Sequence, residues 1–431
     1  MKNSKMLLDV NDKPPLLKWL LLSLQHVFAM FGATILVPIL VNKAVGSEVL
    51  SIPVALISSG IGTLIYIVCT KGKSPVYLGS SFAFITPMIV AFAKSGKESV
   101  FTGIMAVGLV YVLVALIIKA IGKKWINKLL PPIVVGPMIM IIGLSLAPTA
   151  IEEIGLNLEK IPWKNIVVAL ISFLTTGILA VRGKGFLKVI LFLLGMVAGY
   201  ISSIILGMVN LKEVFETSFI AVPNFYIPFV HYKLNFSALL TIAPIALVTI
   251  SEHIGDHKVL SEIIGKDLII NPGLDNTLLG DGIATFTAGL IGGPANTTYG
   301  ENTGVLAITK NYDPSILRIT AVFAILLSFI GKFRAVIVTM PSPVMGGISL
   351  MLFSMIAIVG VQTIKREKVE MNIQNIIIII AILFIGLSGN ILSTPIGIRV
   401  TSSVSISGLS LAGIVGVILN QVMNLTYRKN K

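Results

Sequence analysis

The sequence predicts an all-α polytopic membrane protein, with about fourteen transmembrane segments arranged as two inverted halves of seven. Three observations carry this. First, the 431 residues are 55% hydrophobic and only 12% charged, with a mean hydropathy of +0.95. Soluble domains are roughly 25% charged. The apolar runs are long and contain Gly and Pro, which suits helices of ~20 residues rather than alternating barrel strands of ~10. Second, with the N-terminus placed in the cytoplasm, 23 of the 33 Lys and Arg residues fall on that side and 10 on the other. This bias sets both termini inside. It also accounts for the net charge of +14 without a nucleic-acid partner. Third, the third segment of each half is interrupted by residues that break helices. Matched, interrupted segments in two inverted halves point to the binding site of a secondary transporter.

In chain order the segments lie near 17–41, 50–70, 76–93, 101–121, 130–149, 164–181 and 186–209 in the first half. The second half follows near 237–260, 277–292, 294–309, 315–331, 335–363, 375–390 and 403–425. The first run, from Leu16 to Val41, is too long for a signal-peptide core and is expected to remain as a span. The long segment 335–363 contains Pro341 and Pro343, which predict a kink or a partly re-entrant course. Val209–Asn235, with Pro223 and Pro228, reads as an extracellular loop between the halves. Ala147–Lys164, with Glu152, Glu153 and Glu159, reads as the other sizeable outer loop. No soluble domain is apparent. The lone Cys69 cannot form an intrachain disulfide.

The chain is organised around Gly292–Lys310, which reads GGPANTTYGENTGVLAITK. Gly292, Gly293 and Pro294 break helices, and Asn296–Tyr299 favour turn or extended backbone. Helical spacing resumes after Gly300, and a carboxylate, Glu301, sits at the join. Non-helical backbone at membrane depth survives only where protein or a watery cavity satisfies its polar groups. The stretch therefore predicts a cavity containing Glu301. The counterpart in the first half is Val76–Met88, VYLGSSFAFITPM, where Phe82 opens the half-helix and is placed either to pack or to stack on a flat ligand.

Most of the 19 Asp and Glu fall in loops, tails or span ends. Glu252, Asp256 and Glu301 do not, and an ionisable group at depth costs ~2.5–3.5 kcal/mol or more, which makes it a functional candidate. Glu252 and Asp256 are four apart and share one helix face. His253 and His257 share the adjacent face. The alternative for Asp256 and His257 is that they already reach the solvated cytoplasmic end. Asp281 is expected near the cytoplasmic end of its own span. His26, beside Gln25 in the first segment, is a mid-membrane polar group that either approaches a ligand or makes an interhelical hydrogen bond. His253 and His257 have helical metal-ligand spacing, but no third soft ligand is evident and the order is not HExxH. No nucleophile–base set, metal site or cofactor motif is found, so neither an enzyme nor a cofactor is expected.

Glu301-Asn302-x-Gly304-xxxx-Thr309-Lys310 resembles the signature of the nucleobase–ascorbate transporters, the nucleobase:cation symporter-2 family. QHVFAMFGAT at 25–34, YLGSSFAFITPM at 77–88, SEHIG at 251–255 and NTTYGENTGV at 296–305 are similar to bacterial uracil permeases in particular. The resemblance implies fourteen spans in two inverted repeats, with short antiparallel strands in segments 3 and 10 meeting near the midplane. It implies a core domain of segments 1–4 (15–121) and 8–11 (236–331). The other segments, 5–7 (122–210) and 12–14 (332–426), would form a gate domain that commonly makes a homodimer contact. By motif position, Glu252 and Glu301 would hold a base with backbone near Phe82 and Gly300, while Tyr299 and His26 lie close by. Glu252, Asp256 and Glu301 are the proton-coupling candidates. Where Asp256 stands, relatives of the uracil permease often carry His; here the His is one residue on, at 257.

The implied activity is proton-coupled uptake of uracil across the cell membrane. Family members with Gln at the Glu301 position tend towards xanthine and urate, and the ascorbate branch has Pro there. Uracil is planar and neutral, with two N–H donors and two carbonyl acceptors. A carboxylate accepts from N–H, and strand N–H groups donate to carbonyls. The alternatives are a symporter for xanthine or another nucleobase, or an uncoupled channel or anion exchanger on the same plan. Two carboxylates in the site would repel an anion.

Overall fold

The chain is seen in a computed structural model that describes residues 15–227, 239, 241–392, 396–399 and 405–429. The tail bearing Lys2, Lys5 and Lys13 lies outside these residues. So do Pro228 and the rest of 228–238, where segment eight was expected to begin.

Among the described residues the first half holds helices α1 (Leu16–Val45), α2 (Ile52–Cys69), α3 (Ile85–Ser95), α4 (Lys97–Ile121), α5 (Pro132–Ile154), α6 (Trp163–Arg182) and α7 (Leu191–Ile205). The second half holds α8 (Ile245–Ile264), α9 (Leu274–Ile291), α10 (Gly300–Thr309), α11 (Pro314–Leu327), α12 (Ser342–Arg366), α13 (Ile373–Gly386) and α14 (Gly408–Lys429). Strand β1 (Leu78–Ser80) precedes α3, and β2 (Asn296–Thr298) precedes α10.

The helix ends follow local chemistry. Proline occupies the first turn of α2, α5, α11 and α12, where its missing N–H costs nothing. Gly46, Gly155, Gly265 and Gly292 close helices in the left-handed conformation. The prolines expected to kink segment 335–363 instead precede or open its helix. A short helix, Gly331–Val338, ends before Pro341, and α12 then runs unbroken from Ser342. Glu153, expected in an outer loop, still belongs to α5. It is buried and pairs with Lys43 of α1 at 3.2 Å.

Among the described residues, six helices (α1, α2, α4, α5, α6 and α12) are long and apolar enough by length and composition to cross a membrane. The half-helices α3 and α10 have 11 and 10 residues. At ~1.5 Å per residue each spans about half of a ~30 Å hydrocarbon core.

The packing repeats itself when every helix number is moved by seven. Contact α4–α9 maps onto α11–α2, α1–α3 onto α8–α10, α1–α7 onto α8–α14, and α6–α12 onto α13–α5; β1–β2 and α5–α12 map onto themselves. This is the two-fold pattern that inverted halves require. Helices α1–α4 and α9–α11 pack mainly on one another, as do α5–α7 with α12–α14, and α8 touches both sets. Small residues permit the closest approaches. A side chain at Gly108 of α4 would come within 2.5 Å of the Phe286 backbone N of α9, and one at Gly282 within 2.9 Å of the Gly108 carbonyl.

Strands β1 and β2 are antiparallel, with Gly79 opposite Thr297. Ser81 N–H to the Ala295 carbonyl (2.9 Å) and Tyr299 N–H to the Tyr77 carbonyl (3.0 Å) extend the ladder at its ends. A two-stranded ribbon has two open edges, which is untenable in hydrocarbon. Side chains from neighbouring helices close them. Ser59 Oγ of α2 donates to the Leu78 carbonyl at 2.6 Å, Leu78 N–H donates to Thr63 Oγ1 at 2.9 Å, and Thr285 Oγ1 of α9 donates to the Asn296 carbonyl at 3.2 Å. A second antiparallel pair was not foreseen. Gly397–Arg399 pairs with Ser405–Ser407, so the last segment opens as a strand before α14.

Candidate functional site

Because the two strands run antiparallel, the half-helices that follow them point in opposite directions with their N-termini meeting at the ribbon. Helix N-termini carry unpaired N–H groups and a partial positive charge. Beside them lies a cavity of about 410 Å³. Phe82, Glu252, Asp256, Tyr299, Gly300 and Glu301 all line it. Six of the seven candidate residues are thus brought together from three separate stretches of chain. The opposite wall is apolar: Ile139 and Ile142 of α5, Phe192 of α7, and Leu352 and Val359 of α12.

Each side chain is held in a definite way. Glu301 is half-buried in the first turn of α10. Glu252 and Asp256 are half-buried on the cavity face of α8, one turn apart. Asp256 is tied to the ribbon rather than freely solvated; its Oδ2 accepts from Thr298 Oγ1 of β2. Gly300 is exposed, and a Cβ there would meet nothing within 4 Å. The Tyr299 ring lies against Gly79, where any side chain would collide with it. Its hydroxyl donates to the Ser80 carbonyl at 3.0 Å and accepts from Thr34 Oγ1 at 3.3 Å. Tyr299 therefore spends its polar end on clamping the ribbon and offers the cavity only the side of its ring.

His26 is the exception. It is buried behind α10, where Asn302 Nδ2 donates to its Nδ1 at 3.0 Å and to its own backbone carbonyl at 3.2 Å. Of the two readings open from sequence, this geometry is the interhelical hydrogen bond. Through it α1 fixes the residue that follows Glu301.

Phe82 stands between compartments. With Ala83 and Ile142 it lines both the main cavity and a second one of about 230 Å³ on its far side. A third space of about 400 Å³ shares Glu252, Asp256, Ile139 and Val359 with the main cavity and extends to Lys258, Arg366 and Glu367. The candidate site therefore continues into a vestibule rimmed by charged residues, where Lys258 and Glu367 pair at 3.1 Å.

Three features were not read from sequence. Lys188, ahead of α7, lines the main cavity. Thr298 engages Asp256. Asp281, expected near a helix end, is instead wholly buried in mid-α9 and contacts His253 Nδ1 at 2.9 Å. His257 is likewise fully buried rather than solvated. Contacts between helices far apart in sequence leave no local signal. Among the described residues there is no group of three or more His, Cys, Asp or Glu suited to a metal ion.

The chain is similar to known proteins over nearly its whole length. The chain is 43% identical to the uracil permease of Bacillus caldolyticus over 427 residues, covering 97% of this chain and 95% of that one. It is 44% identical to the uracil permease of Bacillus subtilis (strain 168) over 431 residues, covering 98% and 96%. Among solved structures it resembles the transmembrane domain of a cyanobacterium bicarbonate transporter, BicA. The TM-score is 0.62 at 16% identity, over 96% of this chain and 100% of that one. That likeness concerns the fold. Residues 17–395 match the family described as "Permease family", and with full-length relatives above 40% identity the chain belongs to it, as a multi-pass membrane transport protein of the nucleobase:cation symporter-2 family.

Proposed function

We propose that this protein carries uracil into the cell, coupled to protons, across the plasma membrane with both termini in the cytoplasm. The observation that carries the reading is the meeting of Glu252, Glu301 and the β1–β2 ribbon in one cavity. Uracil's N–H groups donate to the carboxylates, its carbonyls take N–H groups at the two half-helix N-termini, and its ring lies against Phe82. A hydrogen bond to a charged group contributes ~1.5–3 kcal/mol, so two or three such contacts with stacking make micromolar binding reasonable. The permeases of B. caldolyticus and B. subtilis, named for uracil, support the choice of base.

Coupling draws on the same groups. Burial disfavours the charged form of a carboxyl. Glu301 has the N-terminus of α10 to favour its anion, whereas Glu252 in mid-helix has none. Glu252 is the proton carrier in this reading, with Asp256 beside it, and Glu301 is the substrate acceptor. In this reading, α1–α4 with α8–α11 form the substrate-holding core (15–121 and 236–331). The remaining helices form the gate (122–210 and 332–426), which also makes the homodimer. Rocking of core against gate would expose the site alternately to each side.

Radiolabelled uracil uptake into proteoliposomes with an imposed inward proton gradient tests the proposal. The expected result is accumulation that a protonophore abolishes and that unlabelled uracil outcompetes better than xanthine. Accumulation indifferent to the protonophore would remove the coupling. Stronger competition by xanthine would move the substrate to purines.

A further inference from the structure

We propose that the hidden face of α8 is an aiming device. His253 and His257, with Asp281 and Tyr66, are positioning residues that set the direction in which Glu252 and Asp256 point into the cavity.

The two histidines lie one residue after the two acids, about 100° around the helix. His253 Nδ1 meets Asp281 Oδ2 of α9 at 2.9 Å. His257 Nδ1 lies 2.8 Å from the His253 carbonyl, which only accepts, so Nδ1 carries the proton. His257 Nε2 is then an acceptor and takes the Tyr66 hydroxyl of α2 at 2.6 Å. That hydroxyl is in turn 3.0 Å from Ser74 Oγ. The two imidazoles stack with centroids 4.0 Å apart. Tyr66, His253, His257 and Asp281 are all at 0% exposure.

The anchorage is one-sided. In front of Glu252 is cavity, and the front of Asp256 has a single hydroxyl partner, Thr298. Behind, two bonds to two different helices fix the rotation of α8 about its axis. A turn of the helix that swung the acids away would strand the buried Asp281 carboxylate and leave the Tyr66 hydroxyl with Ser74 alone, a costly loss of buried hydrogen bonds. The reverse also holds: freeing the back face lets the acids drift.

The proposal rests on the reading that Glu252 and Asp256 face the base, so its test includes an arm that needs no substrate. With Cys69→Ser and Glu252→Cys in place, the rate of maleimide labelling at position 252 reports its aim. His253→Leu removes the anchor to Asp281. His253→Asn keeps a donor where Nδ1 stands. Labelling is expected to slow by about tenfold with Leu and to stay within about threefold with Asn, the loss of a charge-assisted bond setting the scale. In the Glu252 background, His253→Leu raises the uracil KM by about tenfold, while Vmax per folded transporter changes little and Asn restores it. Should His253→Leu fold poorly, His253→Leu with Asp281→Leu leaves no orphan charge, and Tyr66→Phe removes one hydroxyl only. Unchanged labelling and KM in these variants, or no rescue by Asn, would overturn the aiming role. Labelling that behaves as expected, while the protein with Glu252 intact takes up no uracil, would sink the substrate reading instead.

Discussion

Replacing Glu301 with Gln is expected to weaken uracil binding by about 10- to 100-fold, the loss of one charge-assisted hydrogen bond at ~1.5–3 kcal/mol. The side chain sits in the first turn of α10 and lines the cavity. As an anion it accepts from a ring N–H and is favoured by the helix terminus. The amide is the same size but turns an N–H, or a weaker carbonyl, toward that donor. The penalty is therefore chemical rather than steric, and the protein should fold and reach the membrane normally. Equilibrium binding of labelled uracil to purified protein measures it. Equal affinity in the two proteins would remove Glu301 from the base.

The second large effect is expected at Glu252. Gln there cannot take up or release a proton, so Glu252→Gln should lose gradient-driven accumulation while exchanging uracil across the membrane when no gradient is imposed. One pH unit stores ~1.4 kcal/mol per proton and supports at most about tenfold accumulation for one proton per base. The variant should instead level off near a ratio of about one. Side-by-side uptake and counterflow in proteoliposomes separate the two. Full accumulation by the variant would assign the proton to another group, with Asp256, one turn away on the same face, the first to examine.

The two expectations differ because the two glutamates owe their positions to different things, and this also explains how much was legible beforehand. The break before Glu301 is written in local chemistry. Gly292, Gly293 and Pro294 cannot continue α9, and Asn296–Thr298 suit a strand, so a cavity could be inferred from a few consecutive residues. Glu252 and Asp256 were legible for a similar reason, since a spacing of four always shares a helix face. Fourteen segments and their inversion followed from apolar length and from where Lys and Arg fall.

What remained hidden depends on residues far apart in the chain. Thr298 meeting Asp256, Tyr66 meeting His257 and Asp281 meeting His253 are all contacts between helices or strands. Asp281 was misplaced because an acid seven residues into an 18-residue helix can be solvated or buried, and only the neighbours decide. His26 had two readings for the same reason, and Asn302 resolved its geometry. Pro341 and Pro343 suggest a kink or a re-entrant course because composition alone does not say whether an apolar run of that length is one helix or two. The second strand pair, Gly397–Arg399 with Ser405–Ser407, is short and carries no period long enough to notice.

A flat neutral base is expected to occupy the space beside Gly300, between the strand ribbon and α8. A Cys at Gly300 reports on that space directly, because the position is exposed and a side chain there meets nothing within 4 Å. In a Cys69→Ser, Gly300→Cys protein uracil is expected to slow maleimide labelling of the new thiol. This protection should saturate at the same concentration as uracil binding. Labelling that proceeds at one rate whether or not saturating uracil is present would contradict this placement of the base.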